Sequence, residues 1–171
     1  MEDEKPINLR VGITIYPYHE VVIQQVLENL LENCPANFIL LADTSGQLIT
    51  LLGNRGNTDP VSLASLIAGD LIASQEIARK TGQYQDCQLV MREGKQMNSF
   101  ISEIGRFMVL FVQVPSNVPI GWARLLIIEA SQKINTIIST PPPHFDKSDA
   151  GTYSIPEKKT IDDALSSLWK T

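Results

Sequence analysis

Apolar and polar positions follow two different periods along this chain, and each change of period predicts a new element. Apolar residues occupy every second position from Ile7 to Ile15, which is typical of a strand with one buried face. Between Tyr18 and Asn33 they recur every three or four positions, which predicts an amphipathic helix that ends before Pro35. We therefore expect an N-terminal strand followed by a helix.

A hairpin and a long helix are predicted next. The continuous apolar run 38–42 is typical of a strand that is covered on both faces, and 48–52 is predicted to return beside it after a tight turn. In the helix that follows, Asp59 is the expected N-cap, Pro60 the first residue and Gly82 the residue just past the end. These signals bound the helix at both ends.

Three further strands and a third helix complete this part of the pattern. They are predicted at about 87–93, 96–104, 107–113 and 120–139. Gly94 and Gly105 lie at the two chain reversals between the strands, where tight turns commonly need a positive φ.

The composition changes after residue 139. Pro, Ser, Asp, Gly and Lys dominate 140–159, which predicts a linker that is partly stiffened by its prolines. Within 160–171 the apolar residues recur at helical spacing, which predicts a short amphipathic helix. Because an isolated helix of this length is marginal in water, we expect it to dock onto a dimer of this chain or onto a bound partner, with a disordered end as the alternative. The predicted docking residues are Ile161, Leu165, Leu168 and Trp169.

Composition and charge exclude several classes of function. The 171 residues suffice for one well-buried core, and a net charge of −5 without a basic stripe argues against a nucleic-acid surface. Cys34 and Cys87 fall in different predicted elements and form neither a disulfide framework nor a CxxC motif. No apolar run approaches the length of a membrane span, and the N-terminus lacks the pattern of a signal peptide, so we expect a cytoplasmic protein.

Motifs for catalysis or cofactor binding are not found in the sequence. The phosphate-binding pattern GxxxxGK[ST] does not occur, so the chain is not itself a P-loop GTPase. His19 and His144 lie far apart without the spacing of metal ligands, and neither belongs to a recognisable triad. We expect no cofactor, no metal and no enzymatic activity.

The long helix carries the most informative pattern. Ser65, Gly69 and Ala73 follow each other at a spacing of four and form a flat stripe of small side chains. A glycine inside a helix costs about 1 kcal/mol relative to alanine, and a contact that needs close approach offsets such a cost. We expect a protein-contact face there, with packing against the chain's own sheet as the alternative. The other residues of the expected face are Ser62, Ile72, Glu76, Arg79 and Lys80.

Five aliphatic residues are expected to point to the opposite side of this helix. They are Leu63, Leu66, Ile67, Leu71 and Ile77. Asp70 falls on that apolar side as well. Since an unpaired buried polar group costs about 1–3 kcal/mol, this carboxylate needs a donor, which the sequence does not identify.

Three segments carry a resemblance to a known family. They are Leu40–Gly46, Leu63–Gly82 and Gly94–Arg124, the last including Gly121-Trp122-Ala123-Arg124. They resemble parts of the roadblock/dynein light-chain family, particularly its MglB-like bacterial and archaeal members. The first segment resembles the first hairpin of that family, the second resembles its second helix, and the third resembles its meander and the start of its third helix. The likeness spans 18–139 and leaves an N-terminal extension, 1–17, and the C-terminal tail as additions.

The resemblance implies a fold and a class of function. The fold would be an α/β (α+β) roadblock/profilin-like α/β/α sandwich, whose five-stranded antiparallel sheet continues across the two-fold axis of a homodimer. The expected dimer edge is the strand 87–93, with Leu89, Val90 and Met91 in its interface. The chain would regulate or scaffold a Ras-like small GTPase, since MglB-like members stimulate GTP hydrolysis and can also affect nucleotide exchange. A passive structural adaptor and a small-ligand sensor are the alternatives.

Overall fold

The computed structural model describes residues 6–82 and 89–141. The predicted linker and C-terminal helix, from residue 142 onward, lie outside the described residues. The described elements are β1 (Ile7–Asn8), β2 (Thr14–Ile15), α1 (Pro17–Asn33), β3 (Phe38–Asp43), β4 (Leu48–Gly53), α2 (Pro60–Thr81), β5 (Leu89–Arg92), β6 (Met97–Ile104), β7 (Met108–Pro115) and α3 (Ile120–Ser139).

Five strands form one antiparallel sheet in the order β4-β3-β7-β6-β5. β3 lies between β4 and β7, and all of its residues are buried, as the continuous apolar run predicts. β4 and β5 form the two edges of the sheet in the part of the chain that is described. The five-stranded antiparallel sheet expected from the sequence is therefore confirmed.

Helices pack on both faces of this sheet. α1, α3 and the β1-β2 hairpin cover one face, in a cluster that includes Leu27, Phe100 and Ile127. α2 covers the other face, in a smaller cluster that includes Leu40 and Leu71. The chain thus forms the α/β/α sandwich that its sequence predicts, and α2 is separated from the other two helices by the sheet.

The prediction of one continuous N-terminal strand is wrong. β1 and β2 are two short strands that pair with each other, with Ile7 opposite Ile15. Gly12 has a φ of +87°, a conformation that favours glycine, and the Leu9 amide donates to the Ile13 carbonyl oxygen at 2.8 Å. The apolar alternation reflects the burial of Leu9 and Ile15 on the two arms of a hairpin, and the chain reverses between them.

The helix ends agree with the capping signals. α2 begins after Asp59, whose carboxylate accepts hydrogen bonds from the amides of Val61 and Ser62 at 3.3 and 3.1 Å. It ends before Gly82, which has a φ of +65°. α3 has the predicted bounds at both ends.

The two glycines at the strand reversals are required for different reasons. Gly105 has the predicted positive φ, +58°. Gly94 does not adopt a positive φ, so that prediction is wrong; an added Cβ there would collide with the carbonyl oxygen of Met97. Close approach of two backbone segments explains this glycine.

His19 joins the beginning of α1 to the end of α3. Its Nε2 lies 3.0 Å from the carbonyl oxygen of Thr140, so this nitrogen carries a proton and donates it. The buried ring contacts the rings of Tyr16 and Tyr18, and its Nδ1 has no hydrogen-bond partner among the described residues. Burial lowers the pKa of His19 and outweighs the hydrogen bond to Thr140, which raises it.

We expect the free energy of unfolding to fall as the pH drops below about 6.5, the ordinary pKa of histidine. The unfolded chain then binds a proton that folded His19 resists, whereas above this pH the ring is neutral in both states. Urea unfolding at pH 7 and pH 5 measures the difference. His19→Gln keeps an amide donor but does not titrate, so its loss of stability over this range is expected to be smaller. An equal loss of unfolding free energy in both proteins would show that the titration of His19 is not the cause.

Candidate functional site

Helix α2 has a side that no described part of the chain covers. Four large aliphatic residues on this side are 54 to 70% exposed, which is unusual for a helix that also packs on a sheet. Grouped exposed apolar side chains mark interaction sites more often than single ones do. They are Val61, Leu66, Ile72 and Ile77, and the surface they form with the small-residue stripe is called the α2 face below.

The stripe of Ser65, Gly69 and Ala73 lies along the middle of the α2 face. All three residues are exposed, so the stripe does not pack against the chain's own sheet. At Gly69 an added Cβ would meet no atom within 4 Å. A stripe of small side chains between larger ones allows another backbone to approach α2 closely.

The prediction that Leu66 and Ile77 point away from this face is wrong. They are 70% and 64% exposed, whereas Ile67 and Leu71 are buried as expected and Leu63 is half-buried. Helical spacing explains the difference. Leu66 lies three positions before Gly69 and Ile77 lies four positions after Ala73, so both share the face of the stripe. The side of α2 that meets the sheet instead contains three buried alanines, which are Ala64, Ala68 and Ala78.

The C-terminal end of the α2 face is charged. Arg79 donates two hydrogen bonds to Glu76 at 2.7 and 2.8 Å, and Lys80 lies 3.2 Å from the same carboxylate. The hydrogen bond from Arg79 is the largest cause of the lowered pKa of Glu76. At the other end Ser62 donates to the capping carboxylate of Asp59. The structure therefore places the predicted contact residues on one side of α2, with the polar ones at its two ends.

Asp70 has the donor that the sequence could not identify. Arg92 of β5 donates through both terminal nitrogens to the Asp70 carboxylate, from Nη2 to Oδ1 at 2.7 Å and from Nη1 to Oδ2. The Asp70 side chain is 24% exposed and that of Arg92 is 55% exposed. The hydrogen bond to Asp70 raises the pKa of Arg92. This bidentate pair ties α2 to the edge strand β5.

We expect a double-mutant cycle between Asp70→Ala and Arg92→Ala to give a coupling energy of about 1 kcal/mol, at the upper end for a partly exposed pair. Urea unfolding of the four proteins measures it. Because solvent reaches the pair, the coupling is expected to fall as salt is added. Glu129 and Lys133, a pair within one helix, serve as the comparison. A coupling energy smaller than that of the Glu129–Lys133 pair would contradict the conclusion that the Asp70–Arg92 pair holds α2 against β5.

The edge strand β5 contains the residues predicted for a dimer interface. Leu89, Val90 and Met91 are all half-buried. Leu89 and Met91 pack towards the side of α1 and α3, whereas Val90 packs towards α2. Since Arg92 bonds to α2, the edge of the sheet and the side of α2 lie next to each other.

The described residues offer little chemistry for catalysis. In 6–82 and 89–141, no three His, Cys, Asp or Glu side chains are grouped to hold a metal ion. Cys34 is a free, buried thiol, and burial raises its pKa to about 11, so it is not a thiolate nucleophile near neutral pH. The α2 face and the β5 edge remain the candidate site.

A polar cavity of about 440 Å³ bears on the possibility of a ligand sensor. It lies between the β6–β7 turn and α3 and is lined by residues that include Glu103, Arg106, Gln132 and Asn135. No buried side-chain oxygen or nitrogen in its described lining lacks a hydrogen-bond partner. A polar-lined pocket of this kind is what the ligand-sensor alternative requires.

Helix α2 also meets the length and composition of a membrane span, and it is the one helix in the described part of the chain that does so. Core helices of ordinary globular domains pass the same test. Here one side of α2 packs on the sheet through Ile67 and Leu71. The match is therefore weak evidence for a span.

The comparisons with known proteins agree with this fold. The model of the Roadblock/LC7 domain matches residues 22–114, more than half of the chain, and the protein belongs to this family. The matched region lies within the domain predicted at 18–139 and contains β3 to β6, most of β7 and the whole of α2. A comparison with curated proteins finds no match.

Solved structures place the chain among the MglB-like members of the family. Myxococcus xanthus MglB is 31% identical, with 68% of this chain and 94% of that chain covered and a TM-score of 0.65. The gliding protein MglB from Thermus thermophilus is 25% identical, with coverages of 74% and 96% and a TM-score of 0.67. An MglB with a tetrameric arrangement, 23% identical, has coverages of 74% and 95% and a TM-score of 0.67, and shows the likeness of fold alone.

Proposed function

We propose that this protein is a homodimeric regulator or scaffold of a Ras-like small GTPase in the cytoplasm, and that it binds the GTPase through the α2 face. The observation that carries the proposal is the exposed stripe of small residues on α2, flanked by four exposed aliphatic side chains. A surface of this kind is costly to leave in water, so it suits a protein partner. The MglB-like resemblance supplies the class of that partner.

The proposed dimer pairs β5 with β5 of a second copy. An edge strand exposes unpaired backbone groups, and Leu89, Val90 and Met91 carry no charge that would discourage pairing. Pairing two such edges around a two-fold axis would extend the sheet through both copies. It would also bring two copies of α2 close together, because Arg92 ties each α2 to its own β5. Two α2 faces would then form one larger contact surface.

The proposed activity needs no catalytic group from this chain. A regulator that is not an enzyme acts by binding one conformation of the GTPase more tightly than another, and it shifts the equilibrium by that difference in affinity. Whether GTP hydrolysis or nucleotide exchange changes depends on which conformation the α2 face prefers. The predicted tail residues Ile161, Leu165, Leu168 and Trp169 are proposed to dock either onto the dimer or onto the bound GTPase.

The test uses small GTPases encoded in the same genome. Each is loaded with GDP or with a non-hydrolysable GTP analogue and mixed with the full chain, and the mass of the complex is measured by light scattering. We expect the free chain to have about twice its mass of 19.0 kDa and to bind a GTPase in one nucleotide state preferentially. Single-turnover hydrolysis and nucleotide-release assays then show which step changes. A monomeric chain, or no binding to any of the GTPases, would overturn the proposal.

The second candidate is a passive adaptor within a larger complex. The same α2 face favours it, because exposed aliphatic side chains also suit a stable structural partner. The two candidates differ in the nucleotide assays. An adaptor binds its partner but leaves both hydrolysis and exchange unchanged.

A further inference from the structure

A groove lies on the side of the sheet opposite to the α2 face. It has a volume of about 370 Å³ and is lined by Ile7 and Ile15 of the hairpin, Val21 and Ile23 of α1, and Ile49 of β4. We call it the N-terminal groove. Its volume falls in the range of ligand-sized clefts, and its lining is mainly aliphatic, with Glu20, Gln24 and Thr50 as the polar members.

One wall of the N-terminal groove is an edge of the sheet. β4 pairs with β3, and no described strand pairs with its other side. Ile49 is an extra residue in β4, since Leu48 lies opposite Ala42 and Thr50 opposite Leu41, and such a bulge turns a side chain away from the regular pleat. The sequence Leu48–Gly53 contains no charged residue. Natural sheets usually protect an apolar edge of this kind by charge or by a cover.

The chain leaves its described part at the N-terminal end of α1, and the other side of this helix lines the groove. The carbonyl oxygen of Thr140 lies 3.0 Å from Nε2 of His19, and the neighbouring Glu20 lines the groove. The described residues end at Pro141, and 30 further residues follow. Twenty positions separate Pro141 from Ile161, and a random coil of this length spans roughly 25 Å, enough to reach the groove around the end of α1.

From this geometry we infer that the C-terminal segment Ile161–Trp169 binds in the N-terminal groove of its own chain. The segment has an aliphatic and aromatic side that matches the lining, and the tether raises its effective concentration to about the millimolar range. Lys158 and Lys159 precede the segment and carry a charge opposite to that of Glu20. The bound segment would cover the β4 edge.

A second groove, between α1 and α3, is less suitable for this segment. Its volume is about 250 Å³, and it is lined by residues that include Trp122, Glu129 and Lys133. It extends to the far end of the helix pair, where Trp122 donates to the carbonyl oxygen of Asn33. The tether begins at the opposite end of α3. We therefore use this region as the matched control surface.

The test follows Trp169 in the full-length chain. Trp122 and Trp169 are the two tryptophans of the sequence, so Trp122→Phe leaves Trp169 as the single fluorophore. We expect its emission to be blue-shifted, and acrylamide to quench it several-fold more slowly than in a free peptide of residues 160–171. Quenching as fast as in the free peptide would overturn the inference.

Variants then locate the binding site of Trp169. In the Trp122→Phe background, Ile49→Lys in the groove or Leu168→Asp in the segment is expected to make quenching as fast as in the peptide. Leu126→Lys, at a half-buried position in the lining of the second groove, is expected to change nothing. Val21→Gln, at a half-buried position of α1, is a second groove variant in case Ile49→Lys fails to fold by circular dichroism.

Two outcomes of the variants would overturn the inference. In the first, Trp169 stays protected in folded groove variants, which would place the segment elsewhere. In the second, the protection disappears on dilution together with the dimer, which would place the segment on the other copy. None of these results depends on the GTPase, so the inference and the proposed function can fail separately.

Discussion

Gly69→Leu is expected to weaken binding of the partner at least tenfold, or about 1.4 kcal/mol, without unfolding the chain. An added Cβ at this position meets no atom within 4 Å, and leucine is a better helix former than glycine by somewhat less than about 1 kcal/mol. The isolated fold should therefore be unchanged or slightly more stable. The same side chain would fill the middle of the α2 face and prevent another backbone from approaching. Binding assays and urea unfolding measure the two effects.

Gly121→Leu is the matched control for this prediction. Gly121 lies in the first turn of α3, where an added Cβ also meets no atom within 4 Å. The same substitution there should leave partner binding unchanged. If Gly69→Leu binds as tightly as the unmodified chain, the α2 face is not the contact surface. If it unfolds the chain, the stripe is part of the core.

Asp43→Ala is expected to lower the free energy of unfolding by about 2–4 kcal/mol. The Asp43 side chain is fully buried, and its Oδ1 accepts hydrogen bonds from the Ser45 amide, the Ser45 hydroxyl and the Gln47 amide at 2.9, 2.6 and 2.9 Å. Alanine leaves two amides of the β3–β4 turn without this acceptor. The turn also contains Gly46, where an added Cβ would lie 2.8 Å from the Cα of Ser65. Loss of the turn should therefore disturb the start of α2 as well.

Asp59→Ala removes a similar carboxylate from an exposed position and serves as the comparison. Asp59 caps α2, and such a cap contributes about 1 kcal/mol. Urea unfolding of both variants gives the two losses. If Asp43→Ala lowers the free energy of unfolding no more than Asp59→Ala does, the burial of the Asp43 carboxylate adds nothing to stability.

Local signals in the sequence predicted most of the fold. The two ends of α2 follow from Asp59 and Gly82, because a capping carboxylate and a left-handed residue act within one turn of the helix. The burial of β3 follows from its uninterrupted apolar run. The N-terminal hairpin was not predicted because the alternation of apolar residues shows only which side chains are buried. This alternation continues through Gly12, where the chain reverses, so it gives no sign of the turn.

The candidate site was less predictable, because it depends on contacts between distant parts of the chain. Arg92 follows Asp70 by 22 residues and lies on a different element, so no spacing along the sequence links them. The exposure of Leu66 and Ile77 was mispredicted although their spacing carries it, since they lie three and four positions from Gly69 and Ala73 on the same helix face. For Gly69, in contrast, the small-residue spacing was enough to place it on the exposed side.

The sheet that separates α2 from α1 and α3 has a practical consequence for measuring affinities. Pro141, the last described residue, follows Thr140, which bonds to His19 on the side of α1, whereas the α2 face lies across the sheet. A Pro141→Cys variant immobilised on a biosensor surface through the introduced thiol would therefore present the α2 face to the solution. Attachment through a lysine of α2, such as Lys80, would hide it. Loss of the binding signal with the Lys80 attachment alone would show that the partner contacts the α2 face.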